Sequence, residues 1–247
     1  MDDLNGDVHL LVTLLMVLPL LSLTLFLAQA YRLGIERNQH LWPIYLALAV
    51  GAIAYVLWRL LRASQRMDTL RAGYDAETAA GQELDQLMRQ GAATFHDLPA
   101  EKFNIDHVVI STHGVFAVET KGFTKRRTGD NRGDATVFFN GTHLKFPAWT
   151  TKEPIEQAQR QATWLAMWLK SAVGKTVPVF PVLALPGWFV QRTGNGSVQV
   201  FSGRELGKML STAEQRLSAE DMQRIIHQIE QRCRTVLPHY RDEDNPS

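Results

Sequence analysis

Apolar positions are spread unevenly along the chain. Val8 to Leu27 is almost continuously apolar, interrupted by His9, Thr13, Pro19, Ser22 and Thr24, and Leu41 to Leu61 is a second such run with no charge before Arg59. Each reaches the roughly 20 residues that an α-helix needs to cross a hydrocarbon core of about 30 Å. Trp42, Tyr45, Tyr55 and Trp58 lie near the ends of the second run, as rings that favour a membrane interface do. The pattern predicts two transmembrane helices within residues 1–63, about 8–30 and 41–61, joined by a short loop. A cleaved signal peptide competes for the first run, since Ala28-Gln29-Ala30 has the small-residue form of a cleavage site. Against it, the N-terminus MDDLNGD lacks the basic residues such a peptide carries. Neither run holds an acidic or basic residue of the buried kind that marks an ion path.

Beyond these runs the pattern changes. Residues 64–73 read as a charged helical extension or linker. Ala76, Ala79, Ala80, Leu84, Leu87 and Met88 recur at helical spacing over Tyr74 to Gln90, with Gly91 as a stop. Thr94 to Leu98 is a short strand ending at Pro99, and two further strands flank a turn at His113-Gly114. Thr136 to Phe139 and Thr142 to Phe146 flank Asn140-Gly141, a two-residue hairpin signal. Pro154 suits the first turn of a helix reaching about Ser171. Val177 to Leu185 is an apolar strand whose internal prolines suggest a sheet edge. Ser197 to Phe201 is another strand, Ser218 to Val236 an amphipathic helix, and residues 239–247 a disordered tail. Helix, strand, hairpin, helix and strand in that order describe an α/β domain around a small mixed sheet flanked by helices.

Composition adds exclusions more than assignments. The formal net charge is +1, which neither requires nor excludes a nucleic-acid partner. The single cysteine, Cys233, rules out a disulfide framework within the chain and a zinc site built on thiolates. The distribution of arginine is more useful. Arg59, Arg62, Arg66 and Arg71 follow the second run, whereas Arg32 and Arg37 lie in the connecting loop. The positive-inside tendency then places both termini and the C-terminal domain in the cytoplasm.

The central hairpin carries the candidate chemistry. A two-residue loop at His113-Gly114 would set Thr112 opposite Val115, Val108 opposite Glu119 and Asp106 opposite Lys121. Because side chains alternate along a strand, Asp106, Glu119 and Lys121 would share one face; a three-residue loop would move Asp106 to the other. Two carboxylates and an ammonium suit a Mg²⁺-dependent phosphodiester hydrolase, the oxygens holding a hard cation and the lysine steadying a phosphate or a water. His107 should point away from Asp106 and pack into the sheet, and His113 is a turn residue. Trp164 and Trp168 stand one helical turn apart and read as core packing. Lys125, Arg126, Arg127 and Arg132, in a loop directly after the second strand, are candidates for contact with phosphates.

Four elements in order carry a resemblance. They are Gly73-Tyr74-Asp75-Ala76-Glu77, then Asn104-Ile105-Asp106-His107-Val108-Val109-Ile110, then Gly114-Val115-Phe116-Ala117-Val118-Glu119-Thr120-Lys121, then Pro154-Ile155-Glu156-Gln157-Ala158. Together they resemble the nuclease-related domain (NERD) family, a branch of the restriction-endonuclease-like PD-(D/E)xK fold, over about residues 74–173, with 174–238 completing the domain. Ile105 stands where the broader fold often has proline, as is normal for this branch. The resemblance implies Asp106 and Glu119 as metal ligands, Glu77 as an additional metal carboxylate, Lys121 as the catalytic lysine and Gln157 as a residue orienting substrate or water. Glu77 and Gln157 also lie near helix starts, a place that favours such side chains by itself. The implied protein is a membrane-anchored nuclease dependent on Mg²⁺ (or Mn²⁺) that cuts nucleic acid, DNA first, at the inner face of the cytoplasmic membrane. The alternative is a non-catalytic membrane scaffold that binds nucleic acid or protein with the same fold. The expected partners are nucleic acid and the lipid bilayer, with a homo-oligomer left open.

Overall fold

The structure, a computed structural model, describes residues 2–33, 42–125, 135–208, 210 and 214–237. The chain divides into two compact units, Met1–Arg71 and Ala72–Ser247. The first holds α1 (Asp2–Leu33) and the larger part of α2 (Trp42–Asp85). These two helices form a hairpin in which the Phe26 and Tyr45 rings meet edge to face at 5.7 Å and the Tyr45 hydroxyl donates to Gln29 Oε1. Helix α1 runs unbroken through Pro19 and through Ala28-Gln29-Ala30. Large apolar side chains face outward along both helices, Leu20 at 61% and Leu48 at 62% exposure among them. Helices this long and apolar can cross a membrane by length and composition. Residues 64–73, read from sequence as a charged helical extension or linker, are helical within α2, so Glu77 lies inside a continuous helix and not near a helix start.

In the second unit the end of α2 passes into a 3₁₀ turn, Gln86–Gln90, and stops at Gly91, whose φ of 83° is left-handed. Among the described residues nine strands follow, with one further helix between them and another after them. The strands are β1 (Ala93–Pro99), β2 (Asn104–Ser111), β3 (Gly114–Thr120), β4 (Thr136–Phe139), β5 (Leu144–Lys145), β6 (Thr150–Thr151), β7 (Val179–Leu185), β8 (Phe189–Arg192) and β9 (Gln199–Ser202). The helices are α3 (Glu153–Val173) and α4 (Ala219–Thr235). The main sheet has the order β1-β2-β3-β7-β9 and a smaller one the order β6-β5-β4-β8. Both are mixed, with β3, β7 and β9 parallel to one another and β4 parallel to β8.

Each face of the main sheet is covered by helix. Val108, Ile110, Val115 and Ala117 meet Leu165 and Leu169 of α3 and Ile225 and Ile229 of α4. On the opposite face Val109, Phe116 and Val118 meet Ala80 and Leu84 of α2 together with Leu87 and Leu206. A third cluster joins the small sheet to Leu183 and Leu185 of β7. Ser218 caps α4 by accepting from the Asp221 N–H at 3.1 Å, so the predicted start of that helix holds.

Three sequence expectations need correction. The β2–β3 loop is Thr112-His113 and not His113-Gly114, since Ser111 pairs with Gly114 and His107 with Val118. Continuing that register sets Asp106 across from Glu119, not Lys121. Neither loop residue has positive φ; Gly114 takes it, at 138°, as the first residue of β3. Strand β7 lies inside the sheet despite its prolines. The Pro178 and Ala184 carbonyls accept from Val115 and Lys121 N–H, so even-numbered residues face β3 and Pro181 turns its nitrogen toward β9. Pairing with β9 begins only at Val182, so the missing donor leaves no gap in a ladder. Finally, Asn140-Gly141 does not form a two-residue hairpin turn: Phe139 pairs with Leu144, leaving a four-residue loop. The Asn140 side chain organises it by accepting from the Thr142 and His143 N–H groups at 3.0 and 2.8 Å. Residues 126–134 and 239–247, the basic loop and the tail, lie outside the described residues.

Candidate active site

The site forms where β2 and β3 leave the apolar core. Ile105, Val108 and Ala117 are fully buried and hold both strands between helices, while the same register brings Asp106 and Glu119 side by side. Glu119 is 1% exposed, an unusual place for a carboxylate unless it is paired. It is paired at both oxygens. Lys121 Nζ lies 2.7 Å from Oε1 and Gln161 Nε2 donates to Oε2 at 2.5 Å. Lys121 is itself placed by its backbone, which donates to the Ala184 carbonyl at the end of the β3–β7 ladder.

Asp106 is only half-buried, and the Thr120 N–H donates to its Oδ2 at 2.7 Å. Burial raises its pKa well above the usual aspartate range, and the neighbouring Glu119 and Glu77 charges add to the rise. The Thr120 N–H bond and the Lys121 charge oppose it without cancelling it. The structure therefore brings Asp106, Glu119 and Lys121 together, with Glu77 of α2 close enough to act on Asp106 through its charge. An excess of carboxylate over ammonium at one spot is what a hard cation relieves. Two carboxylates, completed by waters and substrate phosphate, are a sufficient protein contribution for Mg²⁺. Among the described residues no three His, Cys, Asp or Glu side chains gather as a ready-made metal cage. The donor set thus fits Mg²⁺ or Mn²⁺ through Asp106 and Glu119, with Glu77 as a neighbouring charge.

Gln157 is half-buried in the first turns of α3, and no hydrogen bond joins it to Asp106, Glu119 or Lys121. Gln161, one turn further on, reaches the site instead. Sequence reading missed it because its partners, Glu119 and the Asn104 carbonyl, are 42 and 57 residues away along the chain. The only local signal was a polar residue on the apolar stripe of an otherwise amphipathic helix. Lys125 is exposed, with its ammonium 5.8 Å from the centre of the Trp188 ring. Arg126, Arg127 and Arg132 lie outside the described residues. Trp164 and Trp168 stack on each other and against the Arg232 guanidinium, 5.0 and 5.2 Å from their ring centres, at the edge of the core.

His107, which the sequence predicts to pack into the sheet, belongs to a cluster with His96 and Asp85. His96 Nδ1 and His107 Nδ1 are 2.7 Å apart, and His96 Nε2 is 3.1 Å from Asp85 Oδ1. Burial, and then the proximity of His96, pushes the His107 imidazole down to about 4, so it is neutral at physiological pH. These side chains, with Tyr74, Glu77 and Asp106, line a cavity of about 300 Å³.

A mixed sheet covered by helices on both faces, with Asp106 and the Glu119-Thr120-Lys121 segment brought together on adjacent strands, defines an α/β domain with a charged site at the ends of β2 and β3. Residues 72–186 match the family model described as NERD, nuclease-related domain, and this part of the chain is a nuclease-related domain. The matched stretch runs past α3 to take in β7, the strand that pairs with β3 beside Glu119. No curated protein and no solved structure matches the chain. The family match suggests a nuclease-related function for this domain.

Proposed function

We propose that the chain is a membrane-anchored, Mg²⁺- or Mn²⁺-dependent nuclease that hydrolyses phosphodiester bonds in DNA. The observation that carries this reading is the register that sets Asp106 across from Glu119 on adjacent strands, with the Lys121 ammonium 2.7 Å from Glu119 Oε1. The apolar helix pair would insert in the cytoplasmic membrane, and Arg59, Arg62, Arg66 and Arg71 support a cytoplasmic position for the nuclease-related domain.

Asp106 and Glu119 would hold the cation through their oxygens. Such an ion, when bound, polarises the phosphodiester and lowers the pKa of an attacking water. The Lys121 ammonium, 2.7 Å from Oε1 of the Glu119 that would hold the ion, would turn toward the water or a phosphate oxygen. There it offsets charge that builds on the phosphorus oxygens and orients the water for attack. Hydrolysis adds one water across the P–O ester, the hydroxyl going to phosphorus and the proton to the leaving oxygen. The Thr120 N–H keeps Asp106 Oδ2 fixed meanwhile. Lys125 and the basic residues that follow it in sequence would meet the flanking phosphates.

The test is cleavage by the full chain in detergent micelles, with Mg²⁺ or Mn²⁺, on single- and double-stranded DNA and on RNA. Metal-dependent cutting of DNA that falls at least 100-fold in Lys121→Ala is expected, since loss of one charge-stabilising donor costs on that order. No cutting by the wild type, or equal cutting by Lys121→Ala, overturns the proposal.

A further inference from the structure

Gln161 is the side chain that joins α3 to both strands of the site. Its amide nitrogen donates to Glu119 Oε2 on β3 at 2.5 Å and to the Asn104 carbonyl on β2 at 3.4 Å. Asn104 stands two residues before Asp106, so the bridge lies next to both candidate cation-binding residues. Gln161 is 3% exposed, and its own Oε1 is buried with no hydrogen-bond partner among the described residues. An orphaned buried acceptor costs stability. A leucine would fill a similar space at this position of the apolar stripe without an orphaned acceptor of its own. What the amide provides in exchange is a donor to Glu119.

That donor restricts how the carboxylate can turn. Lys121 holds Oε1 from one side and Gln161 holds Oε2 from another, so the carboxylate plane is set before any cation arrives. When Lys121 leaves for the substrate, Gln161 is the partner that remains. Groups that hydrogen-bond to metal-ligating carboxylates orient them, and their loss typically costs 10- to 100-fold in metal affinity. We propose that Gln161 is a positioning residue of the site: it acts through Glu119, fixing the orientation of that carboxylate and the spacing of β2 and β3, and does not touch substrate. The proposal rests on the nuclease reading above for the identity of the cation.

Mn²⁺ binding to the full chain in detergent, followed through the paramagnetic resonance of free Mn²⁺, tests it without reference to cleavage. Thermal melts without metal, run alongside, report folding. Gln161→Leu is expected to bind Mn²⁺ 10- to 100-fold more weakly. Gln161→His, which keeps an N–H donor, should recover most of the affinity, and Gln159→Leu, at an exposed position of the same helix, should bind as the wild type does. If Gln161→Leu melts lower but binds Mn²⁺ unchanged, the residue is a structural strut and the proposal is wrong. Should Gln161→Leu fail to fold, Gln161→Asn, whose shorter arm withdraws the donor, replaces it: weaker binding supports the proposal and equal binding overturns it. A folded wild type that binds no Mn²⁺ removes the nuclease reading and this one together. Wild-type binding with unaffected Gln161 variants removes this one alone.

Discussion

Asp106 carries its charge where burial and two neighbouring carboxylates disfavour it. Its folded pKa lies above the unfolded value of 3.8, so folding favours the protonated form relative to the unfolded chain. Its contribution to stability is complete below that value and is lost as pH rises through the raised folded value. At neutral pH the ionised side chain is therefore a cost in the metal-free protein. Asp106→Asn keeps an acceptor for the Thr120 N–H and removes the charge, so it should raise the metal-free melting temperature at pH 7 by a few degrees, while abolishing cleavage and the stabilisation by Mg²⁺. A lower melting point for Asp106→Asn, measured calorimetrically, would contradict the electrostatic account. Asp106, Glu119 and Lys121 were legible in the sequence because alternation along two strands of one hairpin already constrains which side chains share a face. Gln161 was not, because nothing local marks which turn of α3 will face β3.

At the scale of elements, the β2–β3 hairpin shows which errors sequence reading survives. Moving the loop from His113-Gly114 to Thr112-His113 changes every cross-strand partner by two residues. It leaves every side chain on its face, because the period of a strand is two. A similar tolerance is absent just after the site. Gly122 follows Lys121, and a Cβ there would lie 2.1 Å from the Ala72 carbonyl oxygen and 2.8 Å from the Ala76 side chain of α2. Backbone cannot yield as a flexible side chain does. Gly122→Ala should destabilise the domain by about 1–3 kcal/mol or more, read as a lower urea midpoint with an unchanged slope. An unchanged midpoint would mean that α2 and the residues after β3 part easily. The interior position of β7 was illegible for another reason: proline excludes a strand from the sheet interior only where its nitrogen must donate, and that depends on where β9 begins.

The whole molecule joins two kinds of surface. The described residues of the first unit present many leucine, valine and aromatic side chains outward, whereas those of the second hold three buried apolar clusters around two sheets. The proposed cytoplasmic placement of the second unit can be read from one atom. Cys233 is the sole cysteine and is exposed on α4. In intact cells a membrane-impermeant maleimide should leave it unlabelled, and permeabilised cells should label it fully. Labelling in intact cells would place the domain on the outer side and overturn the proposed access to cytoplasmic DNA.

The sequence by itself determined whatever depends on periodicity and chemical type. That includes two helices long and apolar enough for a bilayer, the α/β order, the amphipathic helix beginning near Ser218, and three charged residues whose parity puts them on one face. These follow from local rules, the helical and strand repeats and the preferences of chain ends and turns. The tertiary structure alone decided that Asp106 faces Glu119, that β7 lies inside the sheet, and that Gln161 and not Gln157 reaches the carboxylate. Each of these joins segments distant in sequence, and such pairings are set by how the helices and strands pack together, which no single segment encodes.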